Sequence, residues 1–76
     1  MKIKIFGKLT DTFGVTEYSM AEEIKDTQEL KSKLEESFPH LKTMTYFLVV
    51  NGKKQDQNIP LPENAEIALL PPYSGG

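Results

Sequence analysis

No cysteine occurs in the 76 residues, which excludes a disulfide framework, a thiolate metal site and a cysteine nucleophile. Arginine is absent as well: the nine cationic residues are all lysine, against eleven acidic ones, for a net charge of −2. Without the planar guanidinium fork that reads phosphates and guanine edges, and without a basic excess, no nucleic acid partner is expected. A single histidine, His40, stands in Pro39-His40-Leu41-Lys42, which reads as the end of a helix and the start of a loop. One imidazole makes neither a metal site nor a triad, so no metal is expected and His40 should be solvated. No apolar run approaches membrane-spanning length, and the N-terminus opens straight into an alternating segment with no signal-peptide signature. The expectation is a cytoplasmic protein with no membrane partner. A chain of this length is one domain, near the lower end of what supports a core without staples.

What is present reads as a small α+β unit. Lys2-Ile3-Lys4-Ile5-Phe6 alternates with period two, so Ile3 and Ile5 should face a core. Phe6 then either stands outward with the lysines or turns in through a bulge at the strand end. Residues 7–16 read as a polar connection broken by Gly7 and Gly14, with Leu9, Phe13 and Val15 pinning it to the body; residues 16–20 can form a short second strand. Asp26 is a good helix N-cap, Glu29 follows at capping-box spacing, and Ile24 is placed to pack on the first turn. Leu30, Leu34 and Phe38 recur every four residues along one stripe, and Pro39 marks the stop.

Tyr46-Phe47-Leu48-Val49-Val50 is aromatic and β-branched and runs into Asn51-Gly52, a strong hairpin signal. Lys53-Lys54-Gln55 should return as a polar edge strand. Residues 56–65 read as a loop anchored by Leu61, and residues 66–70 as the last strand. One amphipathic helix against one mixed sheet buries a core in two layers.

The chain ends Ile67-Ala68-Leu69-Leu70-Pro71-Pro72-Tyr73-Ser74-Gly75-Gly76. Pro71 and Pro72 remove two amide donors and hold the backbone extended, so the strand stops there. Gly75 and Gly76 lack a Cβ and can enter a passage too narrow for other residues. Fully extended, residues 71–76 reach roughly 20 Å. The expected division is a domain over residues 1–70 and a flexible tail over 71–76, with the carboxylate of Gly76 as the working group.

The element order, the single capped helix, the Asn-Gly hairpin and the Gly-Gly end resemble the ubiquitin-like β-grasp fold. Within it, two bulky apolar residues, Pro71-Pro72, two variable residues and Gly75-Gly76 resemble the ending of the small, sulfur-carrying subunit of molybdopterin synthase. Val50-Asn51, Pro60-Leu61 and Ile5-Phe6-Gly7 extend the similarity. The resemblance implies a sulfur carrier that is no enzyme on its own. A ubiquitin-activating-like adenylyltransferase spends ATP to adenylate Gly76, a sulfur donor displaces AMP to leave a thiocarboxylate, and the large synthase subunit receives the tail. There the sulfur passes to a cyclic pyranopterin precursor in molybdenum cofactor biosynthesis, and the carrier itself binds no cofactor.

The resemblance further implies a partner interface at Phe6 and Leu70. In a β-grasp sheet the first and last strands lie parallel, and if Ile67 and Leu69 are core then Leu70 stands outward beside an outward Phe6. The third matching position, apolar in the family, is Lys54 here, which calls for an acidic complement or a smaller contact. Three alternatives share some of these features: a ubiquitin-like modifier joined through Gly76 to lysines, a sulfur carrier for thiamine thiazole synthesis, and an interaction module with an idle tail.

Overall fold

The alternation at the N-terminus forms strand β1, Lys2–Ile5, with Ile3 and Ile5 buried and both lysines in solvent. The structure is a computed structural model that describes residues 1–72. Gly7 turns the chain at φ +59°, a left-handed conformation that glycine adopts without a Cβ penalty. Its carbonyl accepts from the Thr10 amide at 3.1 Å and the Thr10 hydroxyl at 2.8 Å, which starts the five-residue helix α1, Leu9–Phe13. The polar connection is therefore partly helical. Leu9 and Phe13, four apart, share its buried side, whereas Val15 lies beyond the left-handed cap at Gly14 and is 43% exposed, so it pins nothing.

Strand β2, Glu17–Ser19, returns antiparallel to β1. The main helix, α2, spans Thr27–Ser37. The Asp26 carboxylate accepts from the Glu29 amide at 2.8 Å, and the Glu29 carboxylate reaches back to the Lys25 amide, also at 2.8 Å. The capping box is thus present with its return bond one residue early. A second cap comes from the 56–65 loop: Asn58 Oδ1 accepts from the Gln28 amide at 2.8 Å, and the Ile59 carbonyl accepts from the Thr27 amide at 2.9 Å. Leu61 sits half-buried against the core, its amide donating to the Lys25 carbonyl at 2.9 Å. Asp26→Ala is expected to cost about 1 kcal/mol, the usual worth of an N-cap, without melting the helix, because the loop still satisfies its neighbours. A urea titration should show a lower midpoint at unchanged slope.

Leu30 and Leu34 are fully buried, but Phe38 caps the helix and is only half-buried. Its ring joins Phe13, at 4.3 Å between centroids, and Tyr18, at 5.1 Å, in an aromatic cluster that closes one end of the core. Pro39 ends α2 and begins a 3-10 helix, Pro39–Thr43, where a loop was expected; the turn keeps His40 exposed and buries Leu41. Tyr46 falls outside the next strand, its hydroxyl donating to Glu35 Oε2 on α2 at 2.7 Å. Burial first, and the adjacent carboxylate second, hold the phenol well above the ordinary tyrosine range.

Strands β3, Phe47–Val50, and β4, Lys53–Gln55, form the expected hairpin, with Asn51 and Gly52 at the two positive φ values that a type I′ turn needs. Strand β5, Ile67–Leu70, lies between β1, to which it is parallel, and β3, to which it is antiparallel. The five-stranded order is β2-β1-β5-β3-β4, a mixed sheet with α2 on one face and the core between them: the ubiquitin-like β-grasp arrangement.

Candidate functional site

The sheet face opposite α2 carries Phe6, Leu70 and Lys54, the interface residues expected from sequence. Inward positions on β5 are Ile67 and Leu69, both buried, so Ala68 and Leu70 take the outer face by parity. Phe6, just past β1, is 45% exposed, and its amide donates to the Leu69 carbonyl at 3.1 Å. No bulge folds its ring inward. Since Ile5 pairs with Leu69 and Leu70 with Phe47, the residues Phe6, Leu70 and Phe47 form one row across three strands. The next row is Lys4, Ala68, Val49 and Lys54, with Glu17 beyond Lys4.

This face therefore has an apolar centre flanked by charge, which is the anatomy of an interface core and rim. An open groove of about 510 Å³ runs beside it, lined by Lys2, Lys4, Phe6, Val49, Glu66 and Ala68 among others. Lys54 is exposed and does not interrupt the centre: its ammonium lies 3.8 Å from the Phe47 ring centroid, a cation–π contact. The ammonium caps one end of the apolar row. Phe6, Leu70 and Lys54 thus share one face, although Lys54 reaches the other two through Phe47.

Phe47, Val49 and Ala68 belong to the same surface and were not singled out from sequence. Their signal was available in principle, because Leu48 and Val50 inward force Phe47 and Val49 outward. It was hidden by the run 46–50 being apolar at every position, which erases the alternation that marks a face.

Pro71 follows Leu70, the middle member of this apolar row. Pro71 is half-buried and Pro72 exposed. Gly7 lies directly against the Pro71 ring: a Cβ placed on Gly7 would stand 2.7 Å from Pro71 Cγ and 3.3 Å from Cδ. Tyr73, Ser74, Gly75 and Gly76, including the expected working carboxylate, lie outside the described residues. Among the described residues no group of three or more His, Asp or Glu side chains is placed to hold a metal ion. No described helix is long and apolar enough to cross a membrane.

Comparison with known proteins agrees with this fold. The crystal structure of SAMP1 from Haloferax volcanii superposes with a TM-score of 0.76 at 20% identity, over 99% of this chain and 97% of that one. The solution structure of the small archaeal modifier protein 1 from Methanosarcina acetivorans gives a TM-score of 0.76 at 22% identity, over 99% and 94%. At these identities the likeness establishes the fold. Among curated proteins no relative matches. The ThiS family model matches residues 3–76, almost the whole chain, and the protein therefore belongs to the ThiS family.

Proposed function

We propose that this protein is a sulfur carrier, the small subunit of a molybdopterin synthase, with the Gly76 carboxylate as its working group. The observation that carries the reading is the root of the tail: Pro71 and Pro72 leave the sheet beside the apolar row of Phe6, Leu70 and Phe47. A partner that covers that row has the tail delivered at its edge. A carboxylate is a poor electrophile, so activation comes from outside, in the active site of a ubiquitin-activating-like adenylyltransferase. A Gly76 oxygen attacks the α-phosphorus of ATP and pyrophosphate leaves. A sulfide equivalent from a donor then attacks the acyl carbon, the bond to AMP breaks, and a thiocarboxylate remains. The large synthase subunit takes the tail and the sulfur goes to the pyranopterin precursor. The body of the carrier docks and aims; it needs no acid, base or bound cofactor. The proposed setting, with these partners, is the cytoplasm.

Intact mass after incubation with ATP, an adenylyltransferase and a sulfur donor tests the reading. An oxygen-to-sulfur change at Gly76, and retention of the product by a large synthase subunit, are expected. A thiocarboxylate that the large subunit ignores but a thiazole-forming enzyme consumes would move the protein to thiamine synthesis. The second reading, a protein modifier, is favoured by one observation: the similar solved structures include one named as a modifier protein. Adducts of this chain on lysines of other proteins, resistant to thiols in denaturing gels, would support it instead.

A further inference from the structure

We propose that Gly7 is a positioning residue for the tail: its bare Cα is the seat for the Pro71 ring and sets the direction in which the chain leaves the sheet. The proposal rests on the tail being the working segment, as the preceding reading has it.

Two requirements meet at Gly7 and neither follows from the other. The first is conformational. At φ +59° the turn from β1 into α1 uses a backbone region that side chains rarely adopt. Glycine is not alone in meeting such a requirement, since Asn51 and Asn64 take positive φ elsewhere in this chain. The second is steric, and no other residue meets it, because even a methyl at Gly7 would press to 2.7 Å from Pro71 Cγ. Ring and turn have to be accommodated together.

The place of this contact gives it its consequence. The last rung joining β1 to β5 is the Phe6 amide on the Leu69 carbonyl, one residue before Gly7 on one strand and two before Pro71 on the other. Pro71 has no amide hydrogen, so beyond that rung no hydrogen bond from its nitrogen can hold the tail root. Contact with Gly7 is what replaces it. The turn is itself held by Thr10, whose amide and hydroxyl both donate to the Gly7 carbonyl, so the seat is fixed to the body. A partner docked on Phe6 and Leu70 then meets the tail root, Pro71, at a defined angle, because its ring rests on the residue adjacent to Phe6.

Gly14 provides a matched control. It has φ +76°, and nothing lies within 4 Å of a Cβ placed on it. Gly7→Ala and Gly14→Ala therefore introduce comparable backbone strain, but only Gly7→Ala pushes on Pro71. Adenylation by a ubiquitin-activating-type enzyme, followed by ATP–pyrophosphate exchange, should separate them. Gly7→Ala is expected to lower kcat by roughly 10- to 100-fold, the effect of aiming a reacting group about 1 Å wrong. KM should stay within about two-fold, since the docking face is intact. Gly14→Ala should leave both parameters within about two-fold.

A second readout does not depend on any enzyme. In the wild-type chain, nuclear Overhauser contacts should join the Gly7 α-protons to the Pro71 ring. Gly7→Ala should change the Cα–Hα dipolar couplings of Pro71 and Pro72, and Gly14→Ala should not. Absence of the wild-type contacts, couplings that respond equally to the two variants, or equal kcat values for them would each overturn the proposal. Wild-type chain that supports no exchange at all would remove the carrier reading, and the seat would then stand or fall on the Overhauser contacts and couplings.

Discussion

Removal of Gly76 is expected to abolish adenylation and thiocarboxylate formation while leaving the domain folded. The truncated chain still ends in glycine and still presents a carboxylate, so the chemistry at the terminus is unchanged. What changes is reach: one extended residue is roughly 3.5 Å. An in-line attack tolerates far less, since displacement of a reacting atom by about 1 Å already costs up to roughly 100-fold. A loss to background is the consequence. Gly75→Arg should fail equally for another reason, with the length kept but a long side chain forced into a passage suited to bare backbone. Stability should be untouched in both variants, because among the described residues the buried core runs from Ile3 to Leu69. Pyrophosphate exchange, intact mass and thermal melting on the same samples check all three statements. A truncated chain that is still adenylated at a comparable rate would show that the terminal residue is not the working one.

The parts of the fold that were legible in sequence are those where local chemistry and long-range packing agree. Asp26 and Glu29 announce the start of α2 because capping is a matter of four consecutive residues, and Asn51-Gly52 announces its turn because few other pairs accept two positive φ values. Other features are set by distant partners and leave little trace. Helix α1 is five residues long, too short to show a period, and exists because Leu9 and Phe13 fill the core beside β1 and the Phe38 ring. The second cap on α2 comes from Asn58, about thirty residues downstream, and no local rule couples it to Gln28.

The candidate site divides in the same way. Phe6 and Leu70 emerge from parity on two strands that could be placed side by side, and the structure puts them in one row. Phe47 completes that row, yet in an all-apolar central strand it could not be told from core. Lys54 looked like a break in the apolar surface when only residue type was considered. Its ammonium over the Phe47 ring shows instead how a lysine keeps an aromatic ring in use at an edge. In sequence Gly7 marks only a break in the chain, and its contact with Pro71 depends on β1 and β5 lying parallel, a fact of topology.

Leu69 and Leu70 offer the sharpest separation of fold from function, being adjacent in sequence and on opposite faces. Leu69 is fully buried between β1 and β3 against the core. Leu69→Ala removes a branched side chain from that packing and leaves a cavity, at a cost of about 2–5 kcal/mol. For a domain of this size, whose total stability lies near the low end of about 5–15 kcal/mol, a large share of the molecules would then unfold at moderate temperature. Leu70→Ala acts on a half-exposed residue and should cost less than about 1 kcal/mol in folding. In binding the order reverses. Leu70 stands in the row between Phe6 and Phe47, the centre of the proposed contact, and truncation there should weaken docking of the large subunit by about 2 kcal/mol, roughly 30-fold. Urea titrations and calorimetric binding on the two variants give four numbers. Equal effects of both substitutions on stability would mean that the outer face is packed like the core. Full-strength docking by Leu70→Ala would mean that the partner uses a different face, and the apolar row beside the tail would have to be explained by some other contact.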